Sequence, residues 1–162
     1  MPDSLIKAAV VTVSDSRTAD DDLSGDELVA LLASAGAKIA ERVIVTDDLI
    51  HLRETIHALA ESEDIDLIIT TGGTGFGPRD NTPEATRSVI EREAPGMAEA
   101  MRRETVAKTP MAMLSRGICG IRGNTLIVNL PGSPKAVREC FEVIRPVLRH
   151  AINLLSGKTE HR

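Results

Sequence analysis

The chain has 162 residues, of which 42% are hydrophobic and 27% charged, and its net charge is −5 at neutral pH. This length and balance fit one globular domain whose core is large enough to fold without disulfides. The acidic charge argues against a nucleic-acid or anionic-membrane surface, and two Phe with no Trp or Tyr argue against single-strand binders that stack bases.

The cysteines and the hydropathy of the chain both bear on where the protein is located, and the cysteines indicate a reducing compartment. Cys119 and Cys140 are too few and too scattered for a disulfide framework, so we interpret them as buried thiols. The apolar run at residues 8–13 has the length of a strand, and the opening stretch lacks the pattern of a signal peptide or a membrane span. We therefore expect a cytoplasmic protein with no membrane partner.

The chain opens with a predicted strand and helix. Residues 5–14 are almost wholly apolar and rich in β-branched side chains, which predicts a strand covered on both faces, as in a parallel sheet. After a polar loop, Ser24 and Glu27 have the spacing of a capping box, and Gly36 ends the helix that they open.

The same alternation continues to residue 71. Residues 38–46 predict a second strand, and either Asp47 or Asp48 caps the helix that follows. Residues 65–71 predict a third strand, buried like the first, and a glycine-rich loop comes directly after it.

Two helices and a hairpin follow that loop. Thr82-Pro83 opens one helix, with Thr at the cap and Pro in the first turn, and a second helical stretch runs from Pro95 to about Ala107. Residues 117–121 and 125–130 predict an antiparallel hairpin around the turn at residues 122–124.

The last helix opens at Ser133-Pro134 with the same cap-then-proline pattern. Pro146 lies inside this helix and removes a backbone donor, so we expect a kink there. The apolar face comprises Val137, Phe141, Ile144, Leu148, Ile152 and Leu155.

The element order predicts an α/β fold: a three-layer αβα sandwich with a mostly parallel sheet and one antiparallel hairpin. No repeat, linker or low-complexity tract interrupts the chain, so residues 1–162 are expected to form a single domain. Ligands in such folds bind beyond the carboxyl ends of the strands, at the loops considered next.

The loop after the third strand has the strongest functional pattern. Four glycines in residues 72–77 free the backbone to turn and expose N–H groups that can form an anion nest. Thr71 and Thr74 add hydroxyl donors, Arg79 adds a positive charge, and Asp80 could hold a metal. The alternative is a simple turn with helix-cap residues.

Two familiar phosphate-binding patterns do not match this loop. Gly72 and Gly77 have P-loop spacing, but Pro78 stands where that motif needs Lys. The spacing of the glycines also differs from the dinucleotide-binding pattern. A phosphate site of another kind remains as the hypothesis.

Two further segments could bind phosphate. The loop at residues 130–135 ends a strand and opens a helix, whose first turn and Lys135 favour an anion, although an ordinary cap with a solvated lysine explains the same pattern. The first strand ends in Ser14-Asp15-Ser16, and Ser24-Gly25 could bind another phosphate or simply cap a helix.

Carboxylates should meet at the same edge of the sheet. Asp47 or Asp48 follows the second strand and Asp80 follows the third, and two such carboxylates could hold Mg²⁺ between polyphosphate oxygens. The four histidines, by contrast, show no metal-ligand spacing. They are His51, His57, His150 and His161.

Taken together, these residues resemble the MoaB/Mog family of molybdenum-cofactor biosynthesis proteins. The resemblance rests on TTGGTG at residues 70–75, then Arg79-Asp80 and Thr82-Pro83-Glu84. It extends to TVSD at residues 12–15, to Ser24-Gly25 and to NLPGSPK at residues 129–135, and it covers essentially the whole chain in the same order.

The resemblance implies a molybdopterin-binding fold, assembled as a homotrimer or homohexamer, and a Mg²⁺-dependent reaction of molybdopterin with ATP to give adenylyl-molybdopterin and pyrophosphate. Asp47 and Asp80 would be the catalytic and metal-binding carboxylates. The residues expected to bind the pterin and the nucleotide are Ser14, Asp15, Ser24, Gly25, Thr71, Gly72, Gly73, Thr74, Gly75, Arg79, Pro131, Gly132, Ser133 and Lys135.

Other functions fit the same loops. The chain could bind or assemble molybdopterin without adenylylating it, or it could bind a nucleotide only for regulation. In the enzymatic case, the product would pass to a molybdate-insertion protein.

Overall fold

The computed structural model describes residues 4–158, which form one six-stranded sheet in the order β2-β1-β3-β6-β5-β4 with helices on both faces. The strands are β1 Ile6–Val13, β2 Ala37–Val45, β3 Leu67–Thr71, β4 Arg92–Glu93, β5 Cys119–Arg122 and β6 Thr125–Leu130. The helices are α1 Leu23–Ser34, α2 Leu49–Glu61, α3 Thr82–Val89, α4 Pro95–Val106 and α5 Pro134–Leu155, with a 3₁₀ helix at Pro110–Leu114.

The predicted α/β class and the mostly parallel sheet are confirmed. β2, β1, β3 and β6 run parallel, and β5 pairs antiparallel with both β6 and β4. Every residue of β3 and β6 is buried, whereas the edge strand β2 is largely exposed. A strand in the middle of a parallel sheet needs apolar side chains on both faces, which explains the continuous apolar runs.

Two cores lie on opposite faces of the sheet, as expected for three layers. Ala8 and Val10 of β1 pack with α1, α4 and α5, in a core that includes Phe141. Ala9 and Val11 pack on the other face with α2 and α3. Alternate residues of one strand therefore serve the two cores, because successive side chains point to opposite faces.

The hairpin and two short elements differ from the predictions. Arg122 pairs with Thr125, so the turn consists of Gly123 and Asn124 alone, and Gly123 has a φ of +55°. The strand before the turn begins at Cys119 and not at residue 117. β4 and the 3₁₀ helix were not predicted, because elements this short carry no apolar periodicity.

The capping box at Ser24 was a wrong prediction. Asp22 caps α1 by accepting a hydrogen bond from the Gly25 N–H at 3.0 Å, and Ser24 lies inside the first turn. Asp22 is fully buried and also accepts bonds from the Thr12 hydroxyl and from Arg42. A buried carboxylate with three partners outcompetes a serine hydroxyl for this cap, since charge-assisted hydrogen bonds are the stronger ones.

The structure also shows which residues begin α2, α3 and α5. Asp48, and not Asp47, caps α2 by accepting from the His51 N–H at 2.8 Å. Thr82 is the first residue of α3 and not its cap; Asn81 precedes it, without a side-chain cap bond. Ser133 caps α5 as predicted.

The prediction for the cysteines is confirmed, whereas the kink at Pro146 is not tested. Pro146 lies inside α5, and the kink there stays a prediction. Cys119 and Cys140 are free and buried, as expected, and burial raises the pKa of their thiols to about 12 and about 11.

His161 lies outside the described residues. Within residues 4–158, no helix is both long and apolar enough to span a membrane.

One buried side chain joins β6, β3, α3 and the segment before β5 beneath the predicted site. The Asn129 amide on β6 donates to the hydroxyls of Thr70 and Thr86, both at 3.0 Å, and its oxygen accepts from the Ile118 N–H at 3.2 Å. All of these partners are buried, so each would lose its partner away from water if the amide were removed.

We predict that Asn129→Ala lowers the free energy of unfolding by about 3 kcal/mol, because it leaves an N–H and two hydroxyls unsatisfied in the core. Urea denaturation followed by circular dichroism measures the change. Asn153→Ala is the matched control, since the Asn153 side chain makes no hydrogen bond within residues 4–158, and its effect should stay within about 0.5 kcal/mol. Equal effects of the two substitutions would contradict the assigned role.

Candidate active site at the carboxyl edge of the sheet

The loops that follow the four parallel strands converge at one edge of the sheet, and the two glycine-rich loops touch there. The Gly72 N–H donates to the Leu130 carbonyl at 3.1 Å. The Thr71 hydroxyl donates to the Pro131 carbonyl at 2.7 Å. Residues 72–77 and 131–133 therefore form one continuous wall.

Glycine is required at the two positions where this wall is tightest. Gly72 and Gly73 have φ values of +101° and +69°, in the region that disfavours other residues. A Cβ on Gly72 would lie 2.5 Å from the Val13 carbonyl oxygen, and one on Gly73 would lie 2.3 Å from the Thr82 hydroxyl. The glycines thus bring the loop into contact with β1 and α3, which brings its amides to the strand ends.

The larger of two clefts at this edge has a volume of about 430 Å³. The glycine-rich loops form one wall of this larger cleft, and α4 and the 3₁₀ helix supply apolar residues such as Met101, Met111 and Leu114. Of the predicted site residues, it is lined by Gly73, Thr74, Gly75, Asp80, Pro131, Gly132 and Ser133.

The smaller cleft, of about 290 Å³, lies beside the first, because Gly132 and Ser133 line both. It is more polar in its lining. Of the predicted site residues, it is lined by Ser14, Ser24, Thr71, Gly72, Gly132 and Ser133.

Hydroxyl groups in both clefts have protons free for a ligand. Ser24 is only 2% exposed and Thr74 5%, yet neither hydroxyl forms a hydrogen bond within the described part of the chain. The Ser14 hydroxyl accepts from the Arg17 N–H at 3.1 Å, and the Ser133 hydroxyl accepts from the Ala136 N–H at 3.2 Å. Because a serine hydroxyl that accepts a bond can still donate one, all four can bind an anion.

Asp47 lies behind the glycine-rich loop rather than in either cleft. Since Asp48 serves as the cap of α2, the Asp47 carboxylate is left without that role and is 8% exposed. It faces the Asn81 N–H at a long 3.5 Å. Burial, followed by the negative charges of Asp15 and Asp80, raises the pKa of Asp47.

Asp80 lines the larger cleft and closes a turn of its own loop. Its carboxylate accepts from the Gly77 N–H at 2.8 Å, and its N–H donates to the Gly77 carbonyl at 3.0 Å. The close approach also requires glycine, because a Cβ on Gly75 or Gly77 would lie 2.9 Å from the Asp80 carboxylate.

Arg79 and Asp15 pair with each other outside both clefts. The Arg79 guanidinium donates to the two Asp15 oxygens at 2.7 and 2.9 Å. This hydrogen bonding, together with the Asp47 N–H, lowers the pKa of Asp15 to about 2. The pair ties the loop after β1 to the loop after β3, and the Arg79 charge is partly neutralised there.

Two other predicted residues do not line the clefts. Lys135 is exposed and makes no hydrogen bond or ion pair within residues 4–158. Gly25 is buried, and a Cβ there would lie 2.1 Å from an Asp22 carboxylate oxygen. The cap of α1 therefore accounts for this glycine.

Three arginines that the sequence did not single out belong to the site. Arg17 lines the smaller cleft and Arg102 the larger one, while Arg116 binds the glycine-rich loop from outside. Arg17 follows the first strand by four residues and could have been found in the polar loop there. No local pattern marks Arg102 or Arg116, because only tertiary contacts bring them to the loop.

The donor atoms at this edge are hard oxygens. Within residues 4–158, no group of three or more His, Cys, Asp or Glu side chains is arranged to hold a metal ion. The negative charge of Asp80 lies close enough to raise the pKa of Asp47, and the glycine-rich loop lies between the two carboxylates.

Comparison with known proteins identifies the family. A family model described as "Probable molybdopterin binding domain" matches residues 9–150. The molybdopterin adenylyltransferase of Helicobacter pylori is 37% identical over 156 residues, covering 94% of this chain and 89% of that protein. The molybdenum cofactor synthesis protein cinnamon of Drosophila melanogaster is 43% identical over 154 residues.

The coverage of these relatives differs. The matched region is 93% of this chain but only 26% of the length of cinnamon. The crystal structure of the molybdopterin biosynthesis enzyme MoaB from Thermus thermophilus superposes with a TM-score of 0.87 at 45% identity, covering 95% of this chain and 98% of that one.

The two glycine-rich loops meet at one edge of the sheet, and the similarities to the Helicobacter pylori and Thermus thermophilus proteins extend over most of both chains. The chain therefore belongs to the molybdopterin-binding family of molybdenum-cofactor biosynthesis proteins, together with MoaB and Mog.

Proposed function

We propose that this chain is a molybdopterin adenylyltransferase, which joins the AMP part of ATP to the terminal phosphate of molybdopterin and releases pyrophosphate. One observation carries the proposal: the two glycine-rich loops meet and line two adjacent clefts, and hydroxyl groups in both clefts can still donate to a ligand. Two neighbouring clefts with a shared polar wall suit a reaction that brings two phosphorylated molecules together.

The relatives support the same reaction. Proteins named molybdopterin adenylyltransferase in Helicobacter pylori and Haemophilus influenzae are 37% and 39% identical to this chain, and the matched regions cover 89% and 74% of their lengths. The match takes in most of each enzyme, which supports the same activity for this chain.

The chemistry requires positioning more than a strong base. A terminal phosphate is already an anionic nucleophile, so the protein has to hold two polyanions in line and reduce their repulsion. The loop amides and the hydroxyls of Ser14, Ser24, Thr74 and Ser133 can supply hydrogen bonds to phosphate oxygens. Arg17 is the positive side chain that lines the smaller cleft.

The division of the two clefts follows from their lining. Met101, Met111 and Leu114 give the larger cleft apolar surface that suits a planar ring system. The smaller cleft has the serine hydroxyls and Arg17, which suit phosphate. Ser133 and Gly132 lie where the clefts join, and this is where we place the reacting phosphates.

We expect a magnesium ion at this edge of the sheet, where the glycine-rich loop lies between Asp47 and Asp80. Asp47 and Asp80 offer oxygen ligands, and the pKa of Asp47 is raised first by burial and then by the negative charges of Asp15 and Asp80. Asp47 and Asp80 would hold the ion, which when bound neutralises charge on the polyphosphate. Arg79 contributes indirectly by pairing with Asp15, whose negative charge also raises the pKa of Asp47.

Further expectations belong to this proposal. We expect residues 1–162 to form a single domain and the reaction to take place in the cytoplasm. We also expect a homotrimer or homohexamer and transfer of the product to a molybdate-insertion protein.

Met111, Met113 and Leu114 are exposed beside the larger cleft and support a protein contact there. Light scattering after gel filtration would test the assembly.

We predict that the purified chain releases pyrophosphate from ATP when molybdopterin and Mg²⁺ are present. Asp80→Asn should lower this turnover by about 100-fold or more, because the amide keeps an acceptor for the Gly77 N–H but loses the negative charge. Pterin binding, measured by fluorescence titration, should change little.

Asp48→Asn is the matched control, since asparagine also caps helices and Asp48 faces His51 rather than the loop. Undiminished turnover of Asp80→Asn would remove Asp80 from the mechanism. Pterin binding without pyrophosphate release by the parent chain would favour the binding-only function, and ATP binding without pterin binding would favour the regulatory scaffold.

We predict that Asp47→Asn raises the melting temperature near pH 7. The pKa of Asp47 is raised in the folded state, so its contribution to stability is present below the unfolded pKa and is lost as the pH rises through the folded pKa. The variant escapes that loss, so its advantage should shrink as the pH falls toward about 4. Differential scanning calorimetry across this range measures the difference.

Added Mg²⁺ provides the second half of this test. It should raise the melting temperature of the parent more than that of Asp47→Asn, because an ion that binds the folded chain stabilises it. Asp48→Asn should respond as the parent does. Equal Mg²⁺ responses in the parent and Asp47→Asn would exclude Asp47 as a ligand.

A further inference from the structure

We propose that Arg116 is a positioning residue for the reaction: its guanidinium holds the glycine-rich loop in the conformation that places Asp80 and turns the Asn81 N–H toward Asp47. This inference rests on the proposed function. Within residues 4–158, the Arg116 side chain makes no hydrogen bond or ion pair with either proposed carboxylate, so it acts through the backbone of the loop.

The guanidinium bonds to both ends of the loop. Its Nε donates to the Gly75 carbonyl and one terminal nitrogen donates to the Asp80 carbonyl, both at 2.8 Å. The other terminal nitrogen pairs with Glu84 in the first turn of α3. A planar fork with donors in fixed directions can join three acceptors in this way, whereas a lysine ammonium cannot reproduce the directions.

The backbone of Arg116 joins the same loop. Its N–H donates to the Thr74 carbonyl at 2.8 Å, so one residue satisfies three loop carbonyls, those of Thr74, Gly75 and Asp80. Glycine-rich backbone has little conformational preference of its own. External bonds of this kind are therefore what selects one conformation of the loop.

The bond to the Asp80 carbonyl also bears on Asp47. A trans peptide directs its C=O and its N–H to opposite sides. The carbonyl of the Asp80–Asn81 peptide points to Arg116, and the N–H of the same peptide faces the Asp47 carboxylate at 3.5 Å. Arg116 thereby sets the orientation of the peptide unit that lies between the two proposed carboxylates.

Arg116 is itself held in place from the larger cleft. Arg102, which lines that cleft, donates to the carbonyls of Ser115 at 3.4 Å and Gly117 at 2.8 Å, on either side of Arg116. The Arg116 side chain is 34% exposed. Arg102, the 115–117 segment and the loop thus form a continuous set of hydrogen bonds.

The experiment compares Arg116→Lys, Arg116→Ala and Glu84→Gln with the parent chain. Arg116→Lys keeps the positive charge but loses the fork, and Glu84→Gln removes the ion pair while the two carbonyl bonds remain. We expect both Arg116 variants to lower kcat for pyrophosphate release by about 10- to 100-fold with a smaller change in KM for ATP. Glu84→Gln should stay within about twofold of the parent.

Hydrogen–deuterium exchange provides a measure that does not depend on activity. The peptide covering residues 72–82 should exchange about tenfold faster in Arg116→Lys, while peptides from α5 and β1 stay unchanged. Arg138→Lys is the matched control, because Arg138 pairs with Glu27 away from both clefts. It should match the parent in turnover and exchange.

The outcomes separate this inference from the proposed function. Parent-like turnover or exchange in Arg116→Lys, or a loss in Glu84→Gln as large as in Arg116→Lys, would overturn the positioning role. A uniform rise of exchange throughout Arg116→Lys would also overturn it, since that indicates a general loss of stability. If the parent releases no pyrophosphate, the proposed function fails, and the exchange of residues 72–82 still decides the role of Arg116.

Discussion

The contact between the two glycine-rich loops is the constraint on which the site depends. Gly72 lies between the Val13 carbonyl and Gly132, and its amide bonds to the end of β6. No residue with a side chain fits between these backbones. Because β3 lies between β1 and β6 in the sheet, the loop that follows it is the one that can touch both neighbours, and both clefts open on its surface.

Charge at this edge is distributed unevenly, and the distribution suits a cation-assisted reaction. Asp15 is neutralised by Arg79, whereas Asp47 is buried with no cationic partner at hydrogen-bonding distance within residues 4–158. A carboxylate kept charged in such a place reduces stability, and proteins retain such costs mainly where function needs them. The chain is also acidic overall, so attraction of anionic ligands has to come from local amides and from the arginines that line the clefts, Arg17 and Arg102.

The loop is positioned mostly by groups that a ligand would not touch. The Thr82 hydroxyl donates to the Gly72 carbonyl, and Arg116 donates to loop carbonyls from the outer side of the loop. Beneath the loop, the Asn129 side-chain amide links β6 to β3 and α3 by hydrogen bonds. Hydrogen bonds within the protein satisfy the carbonyls of Gly72, Gly73, Thr74, Gly75 and Gly77, which leaves amides and hydroxyls for an anion. A site built in this way is preorganised, since its dipoles need not rearrange when charge develops.

Much of this protein could be predicted from local patterns alone. The apolar β-branched runs determined the buried strands, and Ser133-Pro134 determined the start of α5. The glycines of residues 72–77 determined a loop that turns tightly, with positive φ at Gly72 and Gly73. These features depend on neighbours in the chain, through propensity, periodicity and allowed φ angles.

Only the tertiary structure decided which polar groups are used and which stay available. Asp22 rather than Ser24 caps α1, Asp48 rather than Asp47 caps α2, and Arg79 is paired with Asp15. Arg116 donates to the Gly75 carbonyl, although the two residues are 41 positions apart in the chain. Hydrogen bonds between distant segments depend on how the strands are ordered in the sheet, and a single sequence carries no local signal of that order.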